Sequence, residues 1–217
     1  MKRIGILSAA FAAMLAVACG GNDRRTDANA PASDTAAVGT AGSDANATRR
    51  ENTAAKNWIE DRMKDNLAEI KLGEMAEKKA MNANVKAYAK MMVQDHTKAN
   101  AELKQIAAKH NIEAPMDAGP DHSKTADDLQ QKSARDFDRA YIDAMIDGHQ
   151  DVLENVEDRT EKSGDDKMPH YAPKKTDDAF DMELNNWAAN TAPTVRKHLD
   201  RAKELKDTLD RRTTDNR

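Results

Sequence analysis

The sequence has a single cysteine, few aromatic residues and no excess of positive charge. One cysteine excludes a disulfide within the chain, so the fold must be held together by packing. Aromatic residues make up 4% of the chain and charged residues 33%, a mixture that favours long amphipathic helices over sheets. The formal net charge of −4 lacks the basic footprint of a nucleic-acid-binding protein. Nucleic acid is therefore not a predicted partner.

Motifs of conventional catalysis are also missing. No glycine-rich phosphate loop follows a strand pattern, and no Gly-x-Ser-x-Gly elbow occurs. The one cysteine, Cys19, lies in a candidate lipidation motif, which leaves no cysteine nucleophile. The sequence predicts no catalytic residues. An oxidase or peroxidase using a bound metal is the weakest functional hypothesis, because no substrate pocket or general base can be identified.

The N-terminus has the pattern of a signal peptide. A basic start precedes a short apolar stretch from Ile4 to Val17, which is too short to span a bilayer as a mature anchor. The stretch ends in Leu15-Ala-Val-Ala-Cys19, which resembles the bacterial lipobox, although Ala16 stands where Leu is preferred. We predict a lipoprotein signal peptide over residues 1–18 and lipidation of Cys19. An ordinary secretory signal with an incidental cysteine is the alternative.

The predicted lipid would attach the protein to a membrane. Gly20 follows the cysteine where Asp would retain a lipoprotein at the inner membrane, which favours the outer membrane and a domain facing the periplasm. Residues 19–53 contain almost no large apolar residue and cannot bury enough surface to offset the entropy of ordering. They are predicted to form the lipidated cysteine and a disordered linker. The folded domain is predicted over residues 54–212.

Four segments with helical periodicity follow the linker, at about 53–80, 85–109, 125–160 and 177–209. Pro115, Gly119 and Pro120 break the chain between the second and third segments. The polar stretch 162–175 is predicted as a long loop, and Pro193 should kink or restart the fourth helix. The pattern predicts an all-α, antiparallel four-helix bundle.

The second and third segments share a repeat. YAKMMVQDH and YIDAMIDGH both fit Tyr-x-x-x-Met-[Val/Ile]-x-x-His, with an offset of 53 residues. Steps of four keep Tyr, Met and His along one helix face. Duplication of a helical hairpin would place the two histidines at comparable depth, whereas chance similarity in an Ala- and Met-rich helical protein is the alternative. The matched pairs are Tyr88 and Tyr141, Met92 and Met145, Val93 and Ile146, and His96 and His149.

Each predicted helix offers one polar group to the interior: Glu69, His96, His149 and His198. Imidazoles with one carboxylate suit iron, zinc, manganese or copper, and facing helices of a bundle can assemble such a site. The predicted supporting residues around these ligands are Tyr88, Met92, Asp95, Tyr141 and Met145.

A metal-free polar cluster is the competing interpretation of these four residues. Histidines on the apolar face of a helix are often hydrogen-bonded core residues. Glu69 and the histidines could form hydrogen bonds with one another or with the two tyrosines. The Glu-x-x-His pairs of di-iron sites are absent, because Val93 and Ile146 stand three places before the histidines. Met92 and Met145 would favour copper(I) if they were ligands, although such residues more often fill cores.

Four segments carry a family resemblance: AEIKLGEMA, VKAYAKMMVQDHTKANAEL, FDRAYIDAMIDGHQDVL and WAANTAPTVRKHL. They resemble the domain of unknown function 4142 family over about residues 58–205. The resemblance implies a ferritin-like fold and an exported or outer-membrane protein. It also implies recurrent polar positions at Glu69, Asp95, His96, Tyr141, His149 and His198. Two main functions follow as hypotheses: an envelope lipoprotein for metal handling or stress protection, or a structural and interaction module with a metal-free polar cluster.

Overall fold

The computed structural model describes residues 41–165 and 169–214 and is mostly helical, as predicted. None of the helices in these ranges has a stretch long and apolar enough to cross a membrane. The predicted signal peptide and Cys19 lie outside the described residues. The helices are α1 (Ala41–Lys79), α2 (Ala83–Lys109), α3 (Ser123–Gln130), α4 (Ala134–Glu157) and α5 (Ala179–Thr214); an antiparallel pair of strands, β1 (Thr160–Ser163) and β2 (His170–Pro173), connects α4 to α5.

The buried apolar side chains form two separate clusters, and their order along the chain gives the direction of each long helix. Along α1 the first cluster, which includes Met63, precedes the second, which includes Leu72. The same order holds along α5. Along α2 the order is reversed, with Met92 of the second cluster before Leu103 of the first, and α4 follows α2. Helices α1 and α5 therefore run in one direction and α2 and α4 in the other.

The connections differ in length because of these directions. Helices α1 and α2 are antiparallel and joined by a tight turn, in which the Asp138 carboxylate accepts hydrogen bonds from the backbone N–H groups of Met81 (3.0 Å) and Asn82 (2.8 Å). Helices α2 and α4 run in the same direction, so the segment between them must return along the length of the helices. This crossover contains a single 3₁₀ turn, Pro120–His122, followed by α3.

The start of α1 corrects the predicted linker. The helix begins at Ala41, within the segment 19–53 that was expected to be disordered, so the predicted boundary at residue 53 is wrong. After Gly42 the sequence up to Thr53 has neither proline nor glycine, the two residues that interrupt a helix most strongly. Although Ser, Asp, Asn and Thr are frequent in it, the segment contains no strong helix breaker, so α1 can extend through it.

The predicted third helix is two helices. Between α3 and α4, Ser133 adopts an extended backbone (φ −61°, ψ 155°) and caps α4 by accepting a hydrogen bond from the N–H of Asp136. Its hydroxyl donates to the Asp136 carboxylate at 2.7 Å. This reciprocal arrangement starts a new helix, and the prediction of one continuous helix over 125–160 is wrong.

The predicted loop 162–175 contains most of the strand pair. Tyr171 of β2 is buried, and its hydroxyl donates to Glu157 (2.8 Å) and accepts from Arg196 (2.8 Å), so both neighbouring helices hold the hairpin. Helix α5 continues through Pro193 without restarting. Proline lacks the N–H that would bond to the Ala189 carbonyl, but the surrounding apolar packing maintains the helix.

Candidate metal centre

Three histidines from three helices meet in the interior. His96 lies on α2, His149 on α4 and His198 on α5, and each is at most 7% exposed. Their ring centroids form a nearly equilateral triangle with sides of 5.4, 5.5 and 5.6 Å. One ring nitrogen of each histidine lies within 4.8 Å of one ring nitrogen of both others.

The histidines occupy the boundary between the two apolar clusters. Along α4, His149 stands between Met145 of the second cluster and Leu153 of the first. Along α2, His96 stands between Met92 and Leu103 in the same way. Apolar side chains therefore enclose the triangle on both sides along the helix axes. The triangle lies partway along each helix, at the position where a histidine interrupts the row of buried apolar residues.

Each ring uses one nitrogen to donate a hydrogen bond to a residue other than the three histidines. His96 Nδ1 donates to the Asn66 side-chain oxygen at 2.8 Å. His149 Nδ1 donates to the Met145 carbonyl oxygen at 2.8 Å, and His198 Nε2 donates to the Asp95 carboxylate at 2.9 Å. Because each of these acceptors requires a hydrogen on the nitrogen it faces, the other nitrogen of each neutral ring carries a lone pair.

Those remaining nitrogens are His96 Nε2, His149 Nε2 and His198 Nδ1. All three are buried and have no hydrogen-bond partner within the described parts of the chain. A buried polar atom without a partner costs roughly 1–3 kcal/mol. Three such atoms on adjacent rings form a set of donors that a metal ion could satisfy together.

Burial keeps the rings neutral. It lowers the pKa of His149 to about 3, and the neighbouring His198 acts in the same direction. Burial, together with His149 and His198, places the pKa of His96 well below its usual range. The pKa of His198 is also lowered by burial, although the Asp95 carboxylate acts in the opposite direction. Neutral imidazole is the form that binds metals, so at pH 7 no proton has to be removed before an ion can bind.

The spacing of the ring nitrogens can be compared with that of a filled site. A zinc ion at about 2.0–2.1 Å from each nitrogen in tetrahedral geometry brings the ligand atoms to roughly 3.3 Å from one another. Because the ring nitrogens lie within 4.8 Å of one another, binding would require each pair of nitrogens to move closer by about 1.5 Å at most. Small side-chain rotations can supply it, because each ring is held at one nitrogen only.

Glu69 on α1 was predicted as a fourth ligand, but it does not lie within the triangle of nitrogens. Its Oε1 atom is 3.8 Å from His149 Nδ1, the nitrogen that already donates to the Met145 carbonyl. Burial, followed by repulsion from Asp65, raises the pKa of Glu69 to about 8, so with neutral His149 it forms no ion pair at pH 7. The carboxylate contacts the outer side of the site.

The predicted supporting residues occupy several roles. Asp95 and the Met145 backbone accept hydrogen bonds from the histidines, as described above. The Tyr88 hydroxyl donates to the His198 carbonyl oxygen at 3.3 Å, whereas the buried Tyr141 hydroxyl has no partner among the residues described. Met92 is fully buried in the second apolar cluster.

Asn66 was missed in the sequence. It lies one turn before Glu69 on α1 and is 5% exposed, with its side-chain oxygen bonded to His96. The available signal was its spacing of three residues from Glu69, which places both on one helix face.

The repeated segments meet each other in the structure. Tyr88 and Tyr141 make an edge-to-face contact with ring centroids 6.3 Å apart, and His96 and His149 make another at 5.5 Å. Both histidines lie at the same boundary between the apolar clusters. Because α2 and α4 run in the same direction, the repeat places matched residues side by side, as the duplication hypothesis expected.

Comparison with known proteins gives a family and no individual relative. The family described as Domain of unknown function (DUF4142) matches residues 40–205, which is well over half of the chain. No curated protein and no solved structure matches. The matched region includes all three histidines, Glu69 and both apolar clusters. The chain therefore belongs to the domain of unknown function 4142 family.

Proposed function

We propose that this protein is a cell-envelope lipoprotein whose helices form a ferritin-like four-helix bundle, and that it binds one metal ion through His96, His149 and His198. Lipidation of Cys19 would attach it to a membrane, with the bundle in the periplasm. Its role would be metal handling or protection against metal stress. The observation that carries the proposal is that three buried histidines, each with one unpartnered ring nitrogen, bring ring nitrogens within 4.8 Å of one another in the described part of the chain.

The directions of the helices support the ferritin-like arrangement. Ferritin-like bundles contain one long crossover connection, whereas simple up-and-down bundles have short loops throughout. Here α2 and α4 run in the same direction, and residues 110–133 connect them. Short connections join α1 to α2, and the hairpin joins α4 to α5. These directions and connection lengths support a bundle with a single crossover.

The hydrogen bonds around the rings support metal binding over a purely structural cluster. Histidines that bind metals typically donate their second N–H to a carboxylate, carbonyl or water, which fixes the ring orientation. All three histidines do so here, to Asn66, Met145 and Asp95. Three imidazoles suit zinc and copper, and these ions bind nitrogen sites more tightly than iron or manganese of the same charge.

Metal analysis of the native protein tests the proposal. The full chain would be purified without an affinity tag and its metal content measured by mass spectrometry of the intact protein. We expect one zinc or copper ion per chain, and we expect it to be lost in His96→Ala and His149→Ala. His170→Ala is the matched control, because His170 is exposed on β2 and is not one of the three clustered histidines.

The competing structural role predicts a different result. Metal-free protein, with a melting temperature that does not respond to added Zn²⁺ or Cu²⁺, would contradict the proposal. Labelled fatty acid that is incorporated equally into the native chain and into Cys19→Ser would contradict the lipid anchor.

A further inference from the structure

A cleft of about 600 Å³ lies next to the histidine triangle, between α1 and α4 and beside the start of α3. Five carboxylates line it, against two basic side chains, in the described part of the chain. Both basic residues, Arg62 and His122, face Asp65 at 2.8 and 3.1 Å. Of the other four carboxyl groups, Asp147, Asp151 and Glu154 give the cleft an excess of negative charge, and Glu69 lies among them as a buried group.

Glu69 connects this cleft to the centre. Its side chain lines the cleft and is 91% buried, since only 9% of it is exposed. Its Oε2 atom is buried without a hydrogen-bond partner in the described ranges, and its Oε1 atom is 3.8 Å from His149. An unpartnered, buried carboxylate oxygen at the inner end of an acidic cleft is a ligand that a cation would satisfy.

Gly148 provides the space for this contact. A Cβ atom at this position would lie 3.1 Å from Glu69 Oε1, which is tighter than an ordinary contact. Gly148 also lines the cleft and directly precedes His149. The missing side chain on α4 therefore leaves an opening at the point where the cleft and the centre meet.

We propose that this cleft is the entry route for a divalent cation and that Glu69 is the transfer ligand between solvent and the three histidines. The inference rests on the proposed metal-binding function. Exposed Asp151 and Glu154 raise the local cation concentration at the mouth. Glu69 releases its proton to solvent as it binds the ion at the inner end, and His149 then receives the ion. A second cavity touches His96 and His198, but its volume is only about 30 Å³.

Loading kinetics test the route separately from equilibrium binding. The full chain, stripped with a chelator, would be mixed with Zn²⁺ alone or Cu²⁺ alone in a stopped-flow instrument, and the final stoichiometry measured on the same samples. We expect Glu69→Gln to slow loading by about tenfold while the final stoichiometry stays unchanged. Glu74→Gln is the matched control, because Glu74 is an exposed carboxylate on the same helix outside the cleft.

The exposed mouth gives a second variant that does not disturb the interior. Asp151→Asn combined with Glu154→Gln should slow loading about threefold at low ionic strength, and the difference should disappear in about 0.5 M NaCl. Glu74→Gln combined with Glu102→Gln removes the same charge elsewhere and should leave the rate unchanged.

The outcomes separate the two proposals. Wild-type protein that takes up neither ion would overturn both. Normal binding with unchanged loading rates in Glu69→Gln and in the mouth variant would overturn the entry route alone. Loss of stoichiometric binding in folded Glu69→Gln would make Glu69 a permanent ligand and would also overturn its transfer role.

Discussion

The metal-free protein should be most stable near pH 6.5, and the loss of stability above that pH should depend on Glu69. Burial raises the pKa of this carboxyl to about 8 in the folded state, against an ordinary value of 4.5. The folded protein therefore holds a proton that the unfolded chain releases, and this contribution is lost as the pH rises from 4.5 through 8. Since one pKa unit corresponds to 1.36 kcal/mol, the interval from pH 6.5 to 8 should cost about 2 kcal/mol.

The three histidines reduce the stability of the fold on the acidic side of pH 6.5. His149 stays neutral in the folded state down to about pH 3, whereas the unfolded chain binds a proton at about 6.5. The unfolded state then binds more protons, so stability falls as the pH is lowered below 6.5. His96 and His198 have lowered pKa values and add to the same slope. Above pH 6.5 the histidines are neutral in both states, which leaves Glu69 as the dominant shifted group in that window.

Urea unfolding in the presence of a chelator measures this effect. The free energy of unfolding would be compared at pH 6.5 and pH 8 for the native chain, Glu69→Gln and Glu74→Gln. Glutamine resembles the protonated acid in size and cannot ionise, so Glu69→Gln should lose the drop of about 2 kcal/mol, while Glu74→Gln should retain it. An equal drop in the free energy of unfolding in all three proteins would refute the conclusion that Glu69 causes the loss of stability above pH 6.5.

Two further predictions concern positioning and packing. Asp95→Asn should weaken Zn²⁺ binding by about 10–100-fold in a competition titration, because His198 loses its charged hydrogen-bond acceptor. The control is Asp143→Asn, which changes a carboxylate of similar exposure and should bind Zn²⁺ normally. Equal Zn²⁺ affinities of the two variants would contradict a positioning role for Asp95. Gly73→Ala should destabilise the fold by about 1–3 kcal/mol in urea unfolding, because its Cβ atom would lie 2.7 Å from Val93 Cγ2 and 3.1 Å from the Ala89 carbonyl oxygen. Adding Val93→Ala should recover part of that loss, and no recovery would show that the close approach of α1 and α2 is not its cause.

Helical periodicity predicted which residues share a face, and that was sufficient to identify the three histidines. Each occupies a seam position, so each had to point toward the neighbouring helices once those helices packed. Periodicity does not specify how deep a side chain lies or which atom of a neighbour it faces. Glu69 was therefore predicted as a ligand, but the structure places it on the outer nitrogen of His149. Asn66, on the same face, went unnoticed because its spacing from Glu69 does not by itself show that an Asn contacts a histidine of another helix.

Two other differences came from hydrogen bonds that periodicity does not predict, one local and the others between distant parts of the chain. Ser133 caps α4 and divides a segment whose apolar spacing would suit one helix. The strand pair depends on Tyr171, whose partners Glu157 and Arg196 lie on two different helices. Such contacts join residues far apart in the chain, and composition and period alone do not predict them.

The position of the polar layer bears on whether the histidines serve only the fold. Apolar residues at these three positions would merge the two clusters into one continuous core and remove three buried nitrogens that each cost roughly 1–3 kcal/mol. A structural cluster could avoid that cost if the rings bonded to one another. Instead, every ring donates to a residue other than a histidine, and its second nitrogen stays buried without a partner in the described ranges. This arrangement is unfavourable for the metal-free fold and favourable for a cation held between the rings, which is why metal content is the measurement that decides between the two roles.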